Sequence, residues 1–292
     1  MRLRFWGVRG ALAATGAEFQ RVGGNTPCVE VRDRDDELLI LDAGIGAYWL
    51  GRQLLSGPHG RGQGKATLLF SHTHWDHIQG FPFFVPAFIP GNDVRVFGGG
   101  VDHLEDTLEG QMDPTYSPLV SLSNLGAQVE IGGLEENPVL EVGAMRVTHA
   151  TFPNGPHQVV GYRVEEGDRS LCYICEVDHP PDGLRAEVVE LARGCDLLIH
   201  ESYYTDEELD SLPPNLSLAG ELGPPPAGHS SYGQATSVAL EAGVKRLLYF
   251  YHHPDREDDA VDAQIAAQRA RVAAAGATLE IESAREGTEI EI

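Results

Sequence analysis

The segment His72-Thr73-His74-Trp75-Asp76-His77 crowds three imidazoles and a carboxylate directly behind an apolar run, Thr67-Leu68-Leu69-Phe70. Such a run reads as a strand leading into a turn. His72 and His74 are two apart, so an extended backbone points both the same way. Asp76 and His77 follow in the turn, where they can face a second point a few ångströms away. Imidazole and carboxylate are the ligands of Zn²⁺, and Mn²⁺ and iron accept them too. A single histidine is most often a satisfied core or surface residue. Four such groups at one strand end are costly to desolvate without a cation.

Three later segments carry further chemistry: Leu198-Ile199-His200-Glu201-Ser202, Gly228-His229-Ser230-Ser231 and Tyr251-His252-His253-Pro254. The pair Cys172 and Cys175 lies in Ser170–Val177, which reads as a strand, where residues three apart face opposite sides. With Cys28 and Cys195 they number four, too few and scattered for a disulfide framework, and they read as buried thiols.

The elements that must position these groups alternate along the chain. Strands are expected at Arg2–Trp6, Cys28–Val31, Glu37–Leu41, Ala66–Phe70 and Val94–Phe97, with a helix over Ile45–Leu55. A helical stretch around Val101–Gln111 precedes strands at Gln128–Ile131, Met145–Thr151, Val159–Val164 and Ser170–Val177. Helices at Pro181–Leu191, Tyr232–Ala242 and Gln264–Ala275 then alternate with strands at Leu197–Ile199, Arg246–Tyr251 and Leu279–Ile281. This order predicts sheets packed on each other with helices outside. Gln53–Lys65 reads as a polar surface loop. The Pro-rich stretch Leu212–Pro226 reads equally as a lid or a plain surface loop. Gly98-Gly99-Gly100 lacks a following lysine and reads as a turn rather than a phosphate cradle. Phe81–Phe88 reads as core packing.

The 292 residues carry a formal charge of −23 and are 42% hydrophobic, enough for a sizeable core. Of the 21 basic residues only Lys65 and Lys245 are lysines, and the arginines are scattered. A long polyanion needs a basic face that releases counterions, so a small-molecule substrate is expected and a long nucleic acid is not. No apolar run reaches membrane-spanning length. Met1–Trp6 alternates like a strand rather than a signal peptide, which points to the cytoplasm.

The histidine run resembles the HxHxDH signature of the metallo-β-lactamase superfamily, and the resemblance extends over nearly the whole chain. Leu41-Asp42-Ala43-Gly44 resembles that family's first motif, whose Asp supports the site from behind its ligands. The His200-Glu201 and Gly228-His229-Ser230 segments resemble motifs of its tRNA 3′-processing endonuclease and phosphodiesterase-like branch. Tyr251–Pro254 resembles the segment bearing its last ligand histidine.

The resemblance implies an α/β (α+β) protein, a four-layer αββα sandwich formed by residues 1–292 as one domain. It implies two divalent metal ions, Zn²⁺ first and Mn²⁺ or iron as alternatives. His72 and His74 would hold one; Asp76 and His77 would hold the other, completed by His252 or, less favoured, His253. The family's bridging Asp is replaced here by Glu176, with Asp178 as rival. The first metal's remaining histidine is displaced, since the best-aligned residue is Phe152; His149 on a strand is preferred to His157 in a loop. Asp76 and a Glu201–His229 dyad are the catalytic candidates. A shared, metal-bridging hydroxide would attack a phosphodiester, most readily a small or cyclic nucleotide-like one. Hydrolysis of a lactone, lactam or thioester is the alternative, and a degenerate member that binds metal or ligand without turnover is another. Dimerisation is usual among such relatives, and the sequence leaves a homodimer open.

Overall fold

The computed structural model describes residues 1–98, 104–115, 117, 121–135, 137–154, 157–180, 183–212 and 228–292. The Pro-rich stretch, apart from Leu212, and most of the glycine triplet therefore lie outside the described residues.

Fourteen strands among the described residues form two seven-stranded sheets. The first holds β1 (Arg2–Gly7), β2 (Cys28–Arg32), β3 (Leu38–Leu41), β4 (Lys65–Phe70), β5 (Asp93–Gly98) and β6 (Gln128–Gly133), closed at its other edge by β14 (Glu289–Glu291). The second runs from β7 (Val139–Val142) through β8 (Met145–Asn154), β9 (His157–Glu166), β10 (Arg169–Ile174), β11 (Leu197–Glu201) and β12 (Arg246–Phe250) to β13 (Glu280–Ser283). In each sheet one half is antiparallel and the other parallel: β3 to β6 in the first, β10 to β13 in the second. The last strand returns to the first sheet, placing Leu3 opposite Ile290.

Strand β3 is buried along its whole length. Its alternation sends Leu39 and Leu41 into the core between the sheets, with Val31, Leu69, Val147 and Tyr162. Leu38 and Ile40 join the opposite cluster beneath α1 (Gly46–Leu54) and α3 (Leu104–Gly110). The short helix α2 (Trp75–Ile78) follows β4. Against the outer face of the second sheet pack α4 (Ala186–Ala192), α6 (Tyr232–Ala242) and α7 (Asp258–Ala274), while α5 (Asp206–Ser211) packs on α6. This is the expected four-layer sandwich. Phe81 and Phe84 are buried in its core, whereas Phe83 is exposed.

Several element boundaries differ from expectation. The strand expected over Ser170–Val177 stops at Ile174 because Glu176 takes a left-handed φ of 52°. Helix α7 begins at Asp258 rather than Gln264: acidic residues fill its first turn, and Val261, Ile265, Gln268 and Val272 make its buried stripe. The edge strands β7 and β14 are too short to stand out in the sequence.

Candidate metal and acid–base site

The functional side chains meet at the carboxyl ends of the parallel strands, where ligand sites form in open α/β sheets. Three strand ends share one device. Asp42 after β3, Glu176 after β10 and Tyr251 after β12 have φ of 57°, 52° and 57°. A left-handed backbone is uncommon outside glycine and costs about 1 kcal/mol or more per residue. Here each reversal turns a side chain that would otherwise continue its strand into the same cleft. Gly44 allows the close approach behind it, since a Cβ there would lie 2.3 Å from the Asp76 carbonyl oxygen.

Glu176 is the hub. Its Oε2 lies 2.8 Å from Nδ1 of His74 and 3.0 Å from Nε2 of His72; its Oε1 lies 3.2 Å from Nε2 of His77. Burial alone would raise this carboxyl's pKa, but the imidazoles, His72 foremost, hold it well below the ordinary range. Two groups of ligand atoms lie within 4.8 Å of one another: His72, His74 and Glu176 in one, Asp76, His77 and Glu176 in the other. The imidazole of His74 reaches solvent; the rest of the cluster is buried.

Asp42 sits behind the cluster. It accepts hydrogen bonds from the Ser71 backbone and hydroxyl at 2.7 and 2.8 Å and from the Tyr173 hydroxyl at 2.6 Å. Nδ1 of His77 also lies 2.8 Å from its Oδ2. Burial opposes charge on His77, yet Asp76 and Asp42 outweigh it and raise that imidazole's pKa well above the usual range.

The second half of the site is a dyad. Nδ1 of His229 donates to Oε2 of Glu201 at 3.0 Å, and Oε1 of Glu201 accepts from the backbone of Val177 and Ser230. The His229 ring stacks on Tyr203 at 4.2 Å and lies 5.6 Å from the Tyr251 ring. Tyr251 donates to Asp76 Oδ2 at 2.7 Å and touches Glu176, so one aromatic ring separates the dyad from the histidine cluster. Burial pushes Glu201 up to about 7. Burial lowers His229, but Glu201 more than reverses this. The pair therefore retains a proton near neutrality.

His72, His74, Asp76, His77 and Glu176 are thus brought together, as are Glu201 and His229. His149 and His252, expected as ligands, lie outside these groups. His149 stands opposite Tyr162 in mid-strand, with Nε2 3.3 Å from the Asn137 carbonyl. It is five residues before Asn154, the end of β8 that reaches the site, on the order of 16 Å along a strand. Its rival His157 lies nearer, with its ring 5.5 Å from that of His74. His252 is fully buried between the Tyr232 and Ser283 hydroxyls, each 2.8 Å away, so both its nitrogens are engaged. His253 packs its ring on Tyr203 at 4.6 Å. Asp178 is paired with Arg185. Phe152 is buried in the core, its ring over Gly161 beside Leu191 of α4.

Sequence reasoning missed Tyr251 and Asn154. The Asn154 amide donates to the Glu176 carbonyl at 3.0 Å and lies 3.5 Å from its carboxylate. Tyr251 immediately precedes His252 and His253, and a tyrosine beside two histidines carries no ligand signal of its own in the sequence. The four cysteines are free and buried.

Residues 38–253 match the beta-lactamase superfamily domain. A ribonuclease Z of Exiguobacterium sibiricum is 27% identical over 226 residues, 63% of this chain and 69% of its own. The crystal structure of human tRNase Z, short form, superposes with a TM-score of 0.64 at 19% identity, covering 100% of this chain and 99% of that one. A diphosphatase of the PhnP family gives a TM-score of 0.65 at 18% identity, over 100% and 97%. At these identities the two structures speak for the fold. The first relative is named a ribonuclease, which stands against the expectation drawn from charge that a long nucleic acid is no partner.

Proposed function

The chain belongs to the beta-lactamase superfamily, and we propose that it is a metal-dependent phosphodiesterase acting on a small or cyclic nucleotide-like phosphodiester. The observation that carries this reading is the Glu201–His229 dyad standing one ring away from the His72–His77 cluster. A metal cluster alone suits a lactone, lactam or thioester equally. An acid–base pair beside it, with Glu201 buried and His229 partly exposed, suits an alkoxide leaving group, which needs a proton.

The residues fit a pair of divalent ions. Nε2 of His72 is buried without a hydrogen-bond partner although Glu176 is 3.0 Å away, because the contact falls outside hydrogen-bond geometry. With the Nδ1 proton of a neutral His77 directed at Asp42, its Nε2 lone pair faces Glu176 at 3.2 Å and Asp76 at 3.4 Å. Such acceptors are reconciled by a proton or a cation. His72, His74 and Glu176 would hold one ion, and Asp76, His77 and Glu176 the other. When bound, a zinc pair supplies a water of near-neutral pKa and screens charge developing on phosphoryl oxygens. Zn²⁺ suits the donor set, and Mn²⁺ or iron would also be accepted.

The chain's own residues do the remainder. Asp42 orients His77. Glu201, held by two backbone N–H groups, keeps the His229 ring fixed by its Nδ1. Nε2 of His229 is then the atom left to deliver a proton to the leaving oxygen, and Tyr203 stacks the ring in place. The charge of −23 favours a small substrate over a long polyanion. The buried thiols accord with a reducing compartment, so the cytoplasm is the proposed location.

The test is turnover of cyclic nucleotides and bis(p-nitrophenyl) phosphate with Zn²⁺ or Mn²⁺ supplied. No hydrolysis under any metal sinks the proposal. The ribonuclease relative favours a second reading; cleavage of a precursor tRNA at low salt, with cyclic nucleotides untouched, would establish it instead.

A further inference from the structure

We infer that the Tyr251 phenol oxygen is itself a metal ligand, taking the place in the cluster that His252 and His253 do not occupy. The inference rests on the metal-binding part of the proposed function and is independent of the substrate.

The case begins with the backbone. Strand β12 ends at Phe250, and Tyr251 leaves it with a φ of 57°, as do the site residues Asp42 and Glu176 at their own strand ends. This reversal aims its hydroxyl inward while the next residue, His252, turns to the Tyr232 and Ser283 hydroxyls. Tyr251 is 1% exposed, and its ring stacks on that of His77 at 5.3 Å. The hydroxyl lies 2.7 Å from Oδ2 of Asp76 and closer still to Oε1 of Glu176. The Ala11 backbone N–H donates to that hydroxyl and to Asp76 Oδ2, at 3.1 Å each.

A phenol has a single proton, so it can donate to only one of the two carboxylates. Asp76 and Glu176 are 5% and 2% exposed, so two carboxylate oxygens and the phenol oxygen share a buried space, with the phenol proton, the Ala11 N–H and the His77 Nε2 edge facing them. Burying carboxylates so close is costly without positive charge between them. A cation seated there answers all three oxygens together with Nε2 of His77. On ligation the phenol O–H bond breaks, its proton leaves to solvent, and the oxygen's electron pair forms the bond to the metal. A hydroxyl that only braced the carboxylates would keep its proton.

The full chain loaded with Fe³⁺ distinguishes the two. Ligation predicts a visible phenolate-to-iron charge-transfer band in the wild type and its loss in Tyr251→Phe, with iron retained in the variant. Zn²⁺ affinity by calorimetry should fall at least the roughly tenfold that loss of an outer partner costs. Circular dichroism on the near-isosteric variant checks that the fold is intact. Bound iron without a band, or a band that survives Tyr251→Phe, overturns the inference while leaving the metal reading standing. If wild type and variant both fail to retain iron, equal Zn²⁺ affinities overturn it by themselves. If neither metal is retained, the metal reading falls with it.

Discussion

Oδ2 of Asp42 lies 2.8 Å from Nδ1 of His77, with Asp42 at 1% exposure and His77 at 0%. This contact decides which nitrogen His77 turns toward Glu176. Burial would raise the Asp42 pKa, but the His77 imidazole holds it below the ordinary range, so the carboxylate stays charged. Asp42→Asn should weaken Zn²⁺ binding by about 10- to 100-fold, the usual cost of losing an orienting partner. It should also cost about 3–5 kcal/mol of stability, as when one member of a buried charged pair is removed. Calorimetry and urea unfolding read the two effects. An unchanged Zn²⁺ affinity would show that His77 needs no orientation from behind.

The dyad gives a prediction that depends on the leaving group. A p-nitrophenolate departs without a proton, whereas a ribose oxygen does not. His229→Ala should therefore slow cyclic nucleotide hydrolysis by about 10²–10⁴-fold, and bis(p-nitrophenyl) phosphate far less. Equal losses on both would count against proton delivery.

The same pair sets a pH dependence of stability. The folded pKa of Glu201 is raised from 4.5 to about 7, so its contribution is full below pH 4.5 and is lost as pH climbs through about 7. His229 is also raised, so its contribution is full below 6.5 and is likewise lost through its higher folded value. Both act in one direction. Unfolding free energy measured by urea from pH 5 to 8 should fall more steeply in the wild type than in Glu201→Gln. Parallel curves would mean that the dyad does not hold the proton.

How much of this was readable in the sequence depends on the range of the signal. His72 to His77 sit on one strand end and its turn, so two-residue alternation suffices to bring them together. Glu176, Glu201 and His229 could be placed because each stands inside a motif with its own strand or helix start. The two expected ligands that stand outside the cluster do so for a backbone reason. His149 occupies a strand, but the strand runs five residues further before it reaches the site. Tyr251 enters the site only because its φ turns positive, and nothing in Phe250-Tyr251-His252-His253 announces that reversal; two adjacent histidines are the louder signal. The cores were easier, since Leu38 to Leu41 is apolar on both faces and must be covered on both.

Glu176 offers the most direct test of metal dependence. Its carboxylate belongs to both groups of potential ligands, so Glu176→Gln removes the charge common to both while keeping the side chain's size. Bound zinc by mass spectrometry should drop from about two ions per wild-type chain to fewer than one. A ligand bound at 100 times its dissociation constant stabilises a fold by about 2.7 kcal/mol. A chelator should accordingly lower the wild-type Tm by several degrees and leave Glu176→Gln where it was. A variant that still holds two ions and still responds to chelator would remove Glu176 from the site.

His149 and His252 separate ligand from scaffold. The half-buried His149 ring bonds to the Asn137 carbonyl at 3.3 Å, so His149→Ala should leave zinc content and turnover unchanged and shift stability by less than about 1 kcal/mol. His252 differs because it is buried and engaged on both ring nitrogens. The Ser283 hydroxyl donates to the Ala284 carbonyl at 2.9 Å, so His252 Nε2–H must donate to Ser283, and Nδ1 then accepts from Tyr232. Burial holds this imidazole neutral, with a pKa well below the ordinary value, and Arg9 and Arg256 add to the effect. His252→Ala opens a cavity and takes the acceptor from the buried Tyr232 hydroxyl, while Ser283 keeps its bond to Ala284, for about 2–4 kcal/mol. Urea unfolding should register that loss, while zinc bound per folded chain stays at the wild-type value. A drop in zinc content of the folded variant, without a comparable drop in stability, would return His252 to the ligand set.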